Sequence, residues 1–357
     1  MKKQEKKLFK NLCSFKSDEF DNSLLEEASP TVLGQLFFNR MQSVAYDTLR
    51  KHNLLSKVNR EFRNSLKAAY DQNIVKNDSF FKCVQYLNVL LSKCNCRYAM
   101  LKGAYLCRYY PDAYRTSNDI DLLVSPKDVT KIGNILLEAG FEQGYICNDK
   151  FVPATRREII ESKMMRGETV PYIKEFNLPG MRFLEVDINF SLDYKPGDAF
   201  LLEDMLGRSY SRNVNGLSVT TLNPEDFFIH LCNHLHKETT TLPWVEMKRD
   251  MTLYKYCDIY MLISEMNSME IESLFSRAKA IDMEKICAFA IAQTASIFDF
   301  KNKYAVLKAK DVLKNEPDFL HTVFSPQDKK VYVYTEKNIE KRFFAENRKL
   351  LLTEVKK

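Results

Sequence analysis

Apolar residues recur at helical spacing from the N-terminus to about residue 92. Phe37, Met41, Val44, Ala45 and Leu49 mark one such stripe, and Phe81, Val84, Leu87 and Leu91 mark another. No strand-like alternation competes, so this stretch is expected to be helical. The pattern changes near Cys96. Residues 97–101 are short and apolar and close at Lys102-Gly103; a helix can begin over 104–109, and Pro111 stops it. Residues 120–124 form a second apolar run. Ser125 and Pro126 suit the N-cap and first position of a following helix, which carries Val129, Ile132, Leu136 and Leu137 and ends at Gly140. A strand is expected over 141–146, a polar irregular segment over 147–170, and a hairpin of 172–178 with 182–190 about Pro179-Gly180. Asn223-Pro224-Glu225 reads as N-cap, first position and first-turn acid. Helices are then expected over 224–238, 247–266, 269–280 and 283–298. Residues 329–334 alternate like a strand, and the charged stretch 335–357 reads as helical.

This order predicts an α+β fold: a small mixed or antiparallel sheet flanked by N- and C-terminal helical regions. The boundaries expected are 1–92 for the first helical region, 93–222 for the core and 223–357 for the second helical region. A length of 357 residues fits two or three domains. No apolar run approaches the roughly 18–20 residues of a membrane span. The basic N-terminus lacks the apolar segment of a signal peptide, so a cytoplasmic location and no membrane partner are expected. The nine cysteines include no CxxC pair, which argues against structural zinc and for reduced, mostly buried thiols. A net charge of +6 permits a phosphate-rich ligand and does not indicate nucleic acid.

Chemistry enters at Asp119 and Asp121. Two apart on a strand, their carboxylates project from one face while Ile120 and Leu122 project from the other. Adjacent carboxylates repel unless a cation sits between them. Mg²⁺ takes oxygen ligands and binds through one or two carboxylates plus substrate phosphates, so the pair suits a Mg²⁺–nucleoside triphosphate site. Glu185 and Asp187 repeat the spacing on the second hairpin strand. If that strand neighbours the first, Asp187 completes a three-carboxylate cluster able to hold Mg²⁺ or Mn²⁺. Lys102-Gly103 lies where strand turns to helix; there Gly103 admits phosphate to the backbone and Lys102 offsets its charge. Arg115 offers a second cation.

The segments Met100-Leu-Lys-Gly-Ala104, Tyr110-Pro-Asp-Ala-Tyr-Arg115 and Ser117-Asn-Asp-Ile-Asp-Leu-Leu-Val124 resemble the DNA-polymerase-β-like nucleotidyltransferase superfamily. They are most similar to a bacterial branch with an LKG motif and an R…DIDLLV motif. The resemblance spans about residues 97–190, with a looser likeness from Pro224 to Asp258. It implies Mg²⁺-dependent transfer of a nucleoside monophosphate from an NTP, with ATP the expected donor, to an acceptor hydroxyl or amine. A Gly-Ser turn, the DxD pair and a third acid carry this chemistry in the superfamily; those roles fall on Gly103, on Asp119 and Asp121, and on Asp187. The chain departs from the pattern twice. Ala104 stands where the turn's serine is usual, and Asn189 stands where the branch often has histidine.

Three of the five histidines fall in 230–236. His230 and His234 share a helical face, but no HExxH glutamate accompanies them. Superfamily members of this kind use the C-terminal helices on the acceptor side, which makes His234 and Glu238 candidates to position or deprotonate an acceptor. The acceptor class expected is a small molecule, a peptide or a sugar. Two other functions fit the same residues: a nucleotide-binding or protein-interaction module without catalysis, and a toxin-type nucleotidyltransferase acting on RNA or protein.

Overall fold

The structure is a computed structural model and describes residues 1–14, 19–193, 197, 199–214, 216–298 and 302–355. The fold is α+β. The chain forms two compact units, one of residues 1–71 with 231–357 and one of residues 72–230. Both boundaries fall inside helices.

The N-terminal helices are α1 (Lys3–Cys13), α2 (Pro30–Phe38), α3 (Gln42–Lys51) and α4 (Arg60–Leu91). The stripe from Phe37 to Leu49 is not one helix. Arg40 adopts φ 58°, which ends α2 and starts a new axis at Gln42, and Phe37 is left exposed. Ser29 caps α2 by accepting from the Val32 N–H, with Pro30 in the first turn.

The 72–230 unit is built on a sheet. In chain order it adds β1 (Tyr98–Met100), α5 (Gly103–Leu106), β2 (Asp119–Val124), α6 (Val129–Glu138), β3 (Glu142–Cys147), β4 (Lys150–Pro153), α7 (Arg156–Met165), β5 (Tyr172–Leu178) and β6 (Met181–Asn189). α8 (Ala199–Gly207), β7 (Tyr210–Val214) and β8 (Leu217–Thr221) follow. Six strands pair in the order β1-β2-β6-β5-β3-β4, with β2 and β6 parallel and the other neighbours antiparallel. Alternation decides the faces. Ile120, Leu122, Leu184, Val186 and Ile188 are fully buried, while the residues between them on β6 are only partly so. The second half of α4 packs on this sheet through Tyr86, whose ring meets Phe141 and Phe176.

Several expectations are corrected here. Ser125 does not cap α6: its buried hydroxyl donates to the Glu203 carboxylate, and Asp128 takes the N-cap position. The segment 147–170 is not irregular. β4 pairs with β3, and α7 starts on a capping box in which Thr155 and Glu158 exchange hydrogen bonds. Its polar composition hides both, because they lie on the surface with little apolar periodicity. Cys94 and Cys96 are joined in a disulfide, so not all the thiols are reduced; of the remaining described cysteines only Cys147 is exposed.

α9 (Pro224–Thr239) crosses into the other unit, which continues with α10 (Leu242–Glu246), α11 (Leu253–Ile263), α12 (Ser268–Ala280), α13 (Glu284–Ala295) and α14 (Lys303–Val312). β9 (Thr322–Ser325), β10 (Lys330–Tyr334), α15 (Ile339–Phe343) and β11 (Leu352–Glu354) complete it. Asn223 accepts from the Glu225 N–H, as its sequence predicts. The stretch expected to be helical over 335–357 holds only α15, a short 3₁₀ turn and β11; residues 356 and 357 lie outside the described residues. β11 is drawn onto the edge of β10. The 3₁₀ turn before it carries a buried ion pair. Arg348 donates to both oxygens of Asp250, at 2.6–3.0 Å, in a site closed to water. No helix among the described residues is long and apolar enough to cross a membrane.

Removing one partner of such a pair strands a buried charge. Asp250→Ala is expected to cost about 3–5 kcal/mol of stability in urea titration. Asp71→Ala, which breaks the exposed Lys67–Asp71 pair of α4, should leave the midpoint unchanged.

Candidate active site

β2 and β6 run parallel and in register, so Asp119 faces Glu185 and Asp121 faces Asp187. Because each strand spaces its acids two apart, all four carboxylates leave the sheet on the face opposite the Ile120–Leu122 and Val186–Ile188 core. One oxygen from each of Asp119, Asp121 and Asp187 lies within 4.8 Å of the others. Among the described residues this is the one group of three or more His, Cys, Asp or Glu side chains close enough to share an ion.

The loop before β2 and the end of β1 equip this face. Met100 pairs with Leu122, and the Leu101 N–H donates to the Asp121 carbonyl at 2.9 Å. Lys102 therefore emerges beside Asp121, and its ammonium donates to Oδ1 at 2.7 Å. Ser117, given no role by the sequence, donates from its hydroxyl to Asp119 Oδ1 at 2.7 Å. Gly103 explains how Ser117 gets there. A Cβ at position 103 would lie 2.7 Å from the Ser117 Cβ and 2.9 Å from its Oγ. The glycine thus makes room for the serine that orients Asp119. The only sequence signal for Ser117 is its place two residues before Asp119. Arg115 is buried, and its guanidinium donates to the Thr116 carbonyl at 2.7 Å.

The electrostatics follow from burial and proximity. Burial works to raise Asp119, but Lys102, the Ser117 hydrogen bond and Arg115 together hold it below the usual aspartate range. Asp121 is raised, by burial foremost and by Asp119, against the pull of Lys102. Asp187 is raised well above the usual range by burial and then by Asp121, Glu185 and Asp119. Glu185, pushed up by burial and by Asp119 and Asp121, reaches about 7. Four acids share one face, and the chain's own cations compensate for only part of their charge.

His234 and Glu238 lie one turn apart on α9, in the 1–71 with 231–357 unit. His234 Nε2 is 3.6 Å from Glu238 Oε1, and Lys255 pairs with the other oxygen of Glu238. Trp244 sits in α10, with the Lys255 ammonium 5.2 Å from its ring.

No curated protein matches the chain. Among solved structures, the crystal structure of an antigenic nucleotidyltransferase-like protein from Paracoccidioides brasiliensis is similar at 15% identity and a TM-score of 0.34, over 60% of this chain and 94% of that one. The model of a family described as uncharacterised nucleotidyltransferases matches residues 28–299, most of the chain and all of the acidic face, and the chain belongs to that family.

Proposed function

We propose that the chain transfers a nucleoside monophosphate from an NTP, with ATP the expected donor, to an acceptor hydroxyl or amine and releases pyrophosphate. The observation that carries this reading is the convergence of Asp119, Asp121 and Asp187 within 4.8 Å. Family membership supports an NTP as the substrate class.

The donor set fits a hard divalent ion. It offers only carboxylate oxygens, which suit Mg²⁺ or Mn²⁺ and not the sulfur- and nitrogen-rich sites of zinc. Raised Asp121 and Asp187 are carboxyls that a cation would stabilise as anions. A divalent ion held there supplies Lewis-acid stabilisation of the phosphoryl oxygens. Asp119 and Asp121 are its ligands, with Asp119 oriented by Ser117. Asp187 is the third ligand and the group that takes the acceptor's proton at its carboxylate. Lys102 and Arg115 supply positive charge for the triphosphate, and Gly103 leaves the space in which Ser117 orients Asp119. The acceptor is expected to be a small molecule, peptide or sugar.

A binding module without turnover is the second reading. Ala104 favours it, as does Asn189, whose amide turns to the Asp187 carbonyl at 3.5 Å. Such a module would bind Mg²⁺–NTP yet release no pyrophosphate.

The protein, incubated with each labelled NTP and Mg²⁺ against a cell lysate, is expected to leave a nucleoside monophosphate on an acceptor detectable by mass spectrometry. Asp119→Asn and Asp121→Asn should each lower that incorporation at least about 10³-fold while leaving the circular dichroism unchanged. Full incorporation by either variant would overturn the assignment.

The raised Glu185 makes a separate prediction about pH. Its folded value, about 7, exceeds the 4.5 of a free glutamate. The stabilisation this brings is complete below about pH 4.5 and is lost as the pH rises through about 7. In EDTA, Glu185→Gln is therefore expected to raise stability at pH 8 by on the order of 2 kcal/mol and to change it little at pH 4. Urea titrations at the two pH values check this; an equal effect at both would contradict it.

A further inference from the structure

Lys102 is held in an unusual way. Its ammonium bonds Asp121 Oδ1 at 2.7 Å, with the carboxylate nearly buried and the lysine side chain 21% exposed. Its backbone lies at φ 42° and ψ −117°, on the side of conformational space that L residues rarely enter. Main-chain bonds fix that backbone on both sides. The Leu101 N–H is tied to Asp121, and the Lys102 carbonyl accepts from the Tyr105 and Leu106 N–H groups at 3.1 and 2.8 Å. The main chain is thus pinned in a strained conformation from which the side chain reaches the central acid of the triad. Only the flexible four-carbon stem is left to move. Arg115 differs, being buried with its guanidinium bonded to the Thr116 carbonyl.

An ammonium 2.7 Å from Asp121 Oδ1 occupies that oxygen and repels a divalent ion on the same carboxylate, so the two cations compete for Asp121. We propose that Lys102 is an exchangeable counter-ion, which occupies Asp121 in the nucleotide-free chain and yields it when a triphosphate arrives to receive the ammonium. This rests on the proposed metal–NTP site. A metal ion arriving alone must drive the ammonium off its carboxylate with no other anion to meet it. A metal arriving with a triphosphate lets Lys102 exchange one anionic partner for another. Metal and nucleotide therefore bind cooperatively, each raising the other's affinity by the same factor. Lys102 is in this sense a positioning residue that keeps the free ion out and admits the ion with its nucleotide.

The test is Mn²⁺ binding, followed by electron paramagnetic resonance of the free ion, for wild-type protein and Lys102→Met. Each is titrated alone and with the α,β-methylene analogues of nucleoside triphosphates, which cannot be cleaved. Wild-type protein is expected to bind Mn²⁺ weakly alone and at least about tenfold more tightly with the favoured analogue. Lys102→Met should bind Mn²⁺ alone at least about tenfold more tightly than wild type and gain less from the analogue. Lys102→Arg, which keeps the charge, should resemble wild type. If the methionine variant does not fold, wild-type melting decides: Mn²⁺ alone should leave Tm unchanged and Mn²⁺ with the analogue should raise it. Wild-type protein that binds Mn²⁺ equally well with and without every analogue, or a folded methionine variant that binds it no more tightly, overturns the exchange and leaves the metal site standing. Absence of Mn²⁺ binding under every condition overturns the metal–NTP site itself, and the exchange with it.

Discussion

Repulsion among four carboxyl groups on one face of a sheet is the constraint around which this structure is organised. Parallel, in-register pairing of β2 and β6 sets Asp119 against Glu185 and Asp121 against Asp187, while the intervening residues of both strands form the core. Slipping either strand by one residue would turn its acids into the apolar core and its apolar residues, Ile120 and Leu122 or Val186 and Ile188, out of it, so the hydrophobic core itself enforces the acidic cluster. The fold thereby stabilises an arrangement that electrostatics opposes. The opposition is visible in Asp187 and Glu185, whose protons are held more tightly than in water.

The surroundings reduce this repulsion without removing it. Lys102 meets Asp121, Ser117 meets Asp119, and Arg115 contributes charge from a buried position. Gly103 enters through packing: its missing side chain is the space that Ser117 fills. The usual turn serine of the superfamily is absent at Ala104, yet a serine hydroxyl stands beside the same glycine, contributed by the loop before β2 instead. The three-aspartate cluster that remains is compatible with a divalent cation, and the chain belongs to a nucleotidyltransferase family.

Much of this was legible in the chain because it rests on short-range periodicity. The DxD spacing on 119–121, its repeat on 185–187 and the hairpin about Pro179-Gly180 are local patterns, and each appears in the structure at the expected strand. The adjacency of β2 and β6 is not local, and the place of Asp187 beside Asp121 depends on it. Ser117 stayed silent because its role depends on a contact with Gly103, fourteen residues away, that no spacing rule encodes. The hairpin strand β4 and helix α7 leave no such pattern, because surface elements carry little apolar periodicity. The C-terminal segment has a helical composition yet ends in a strand, because that strand forms by pairing with β10. Residues His234 and Glu238 stand one turn apart as helical spacing requires, and spacing says nothing about what they contact.

The central claim is that Asp119, Asp121 and Asp187 together hold a divalent ion at the nucleotide. Crystals grown with Mn²⁺ and an α,β-methylene nucleoside triphosphate would test it by anomalous scattering. The account predicts a manganese peak about 2.0–2.3 Å from an oxygen of each of the three aspartates, shared with phosphate oxygens. A bound analogue with no peak among those carboxylates, or with manganese held elsewhere, would contradict it.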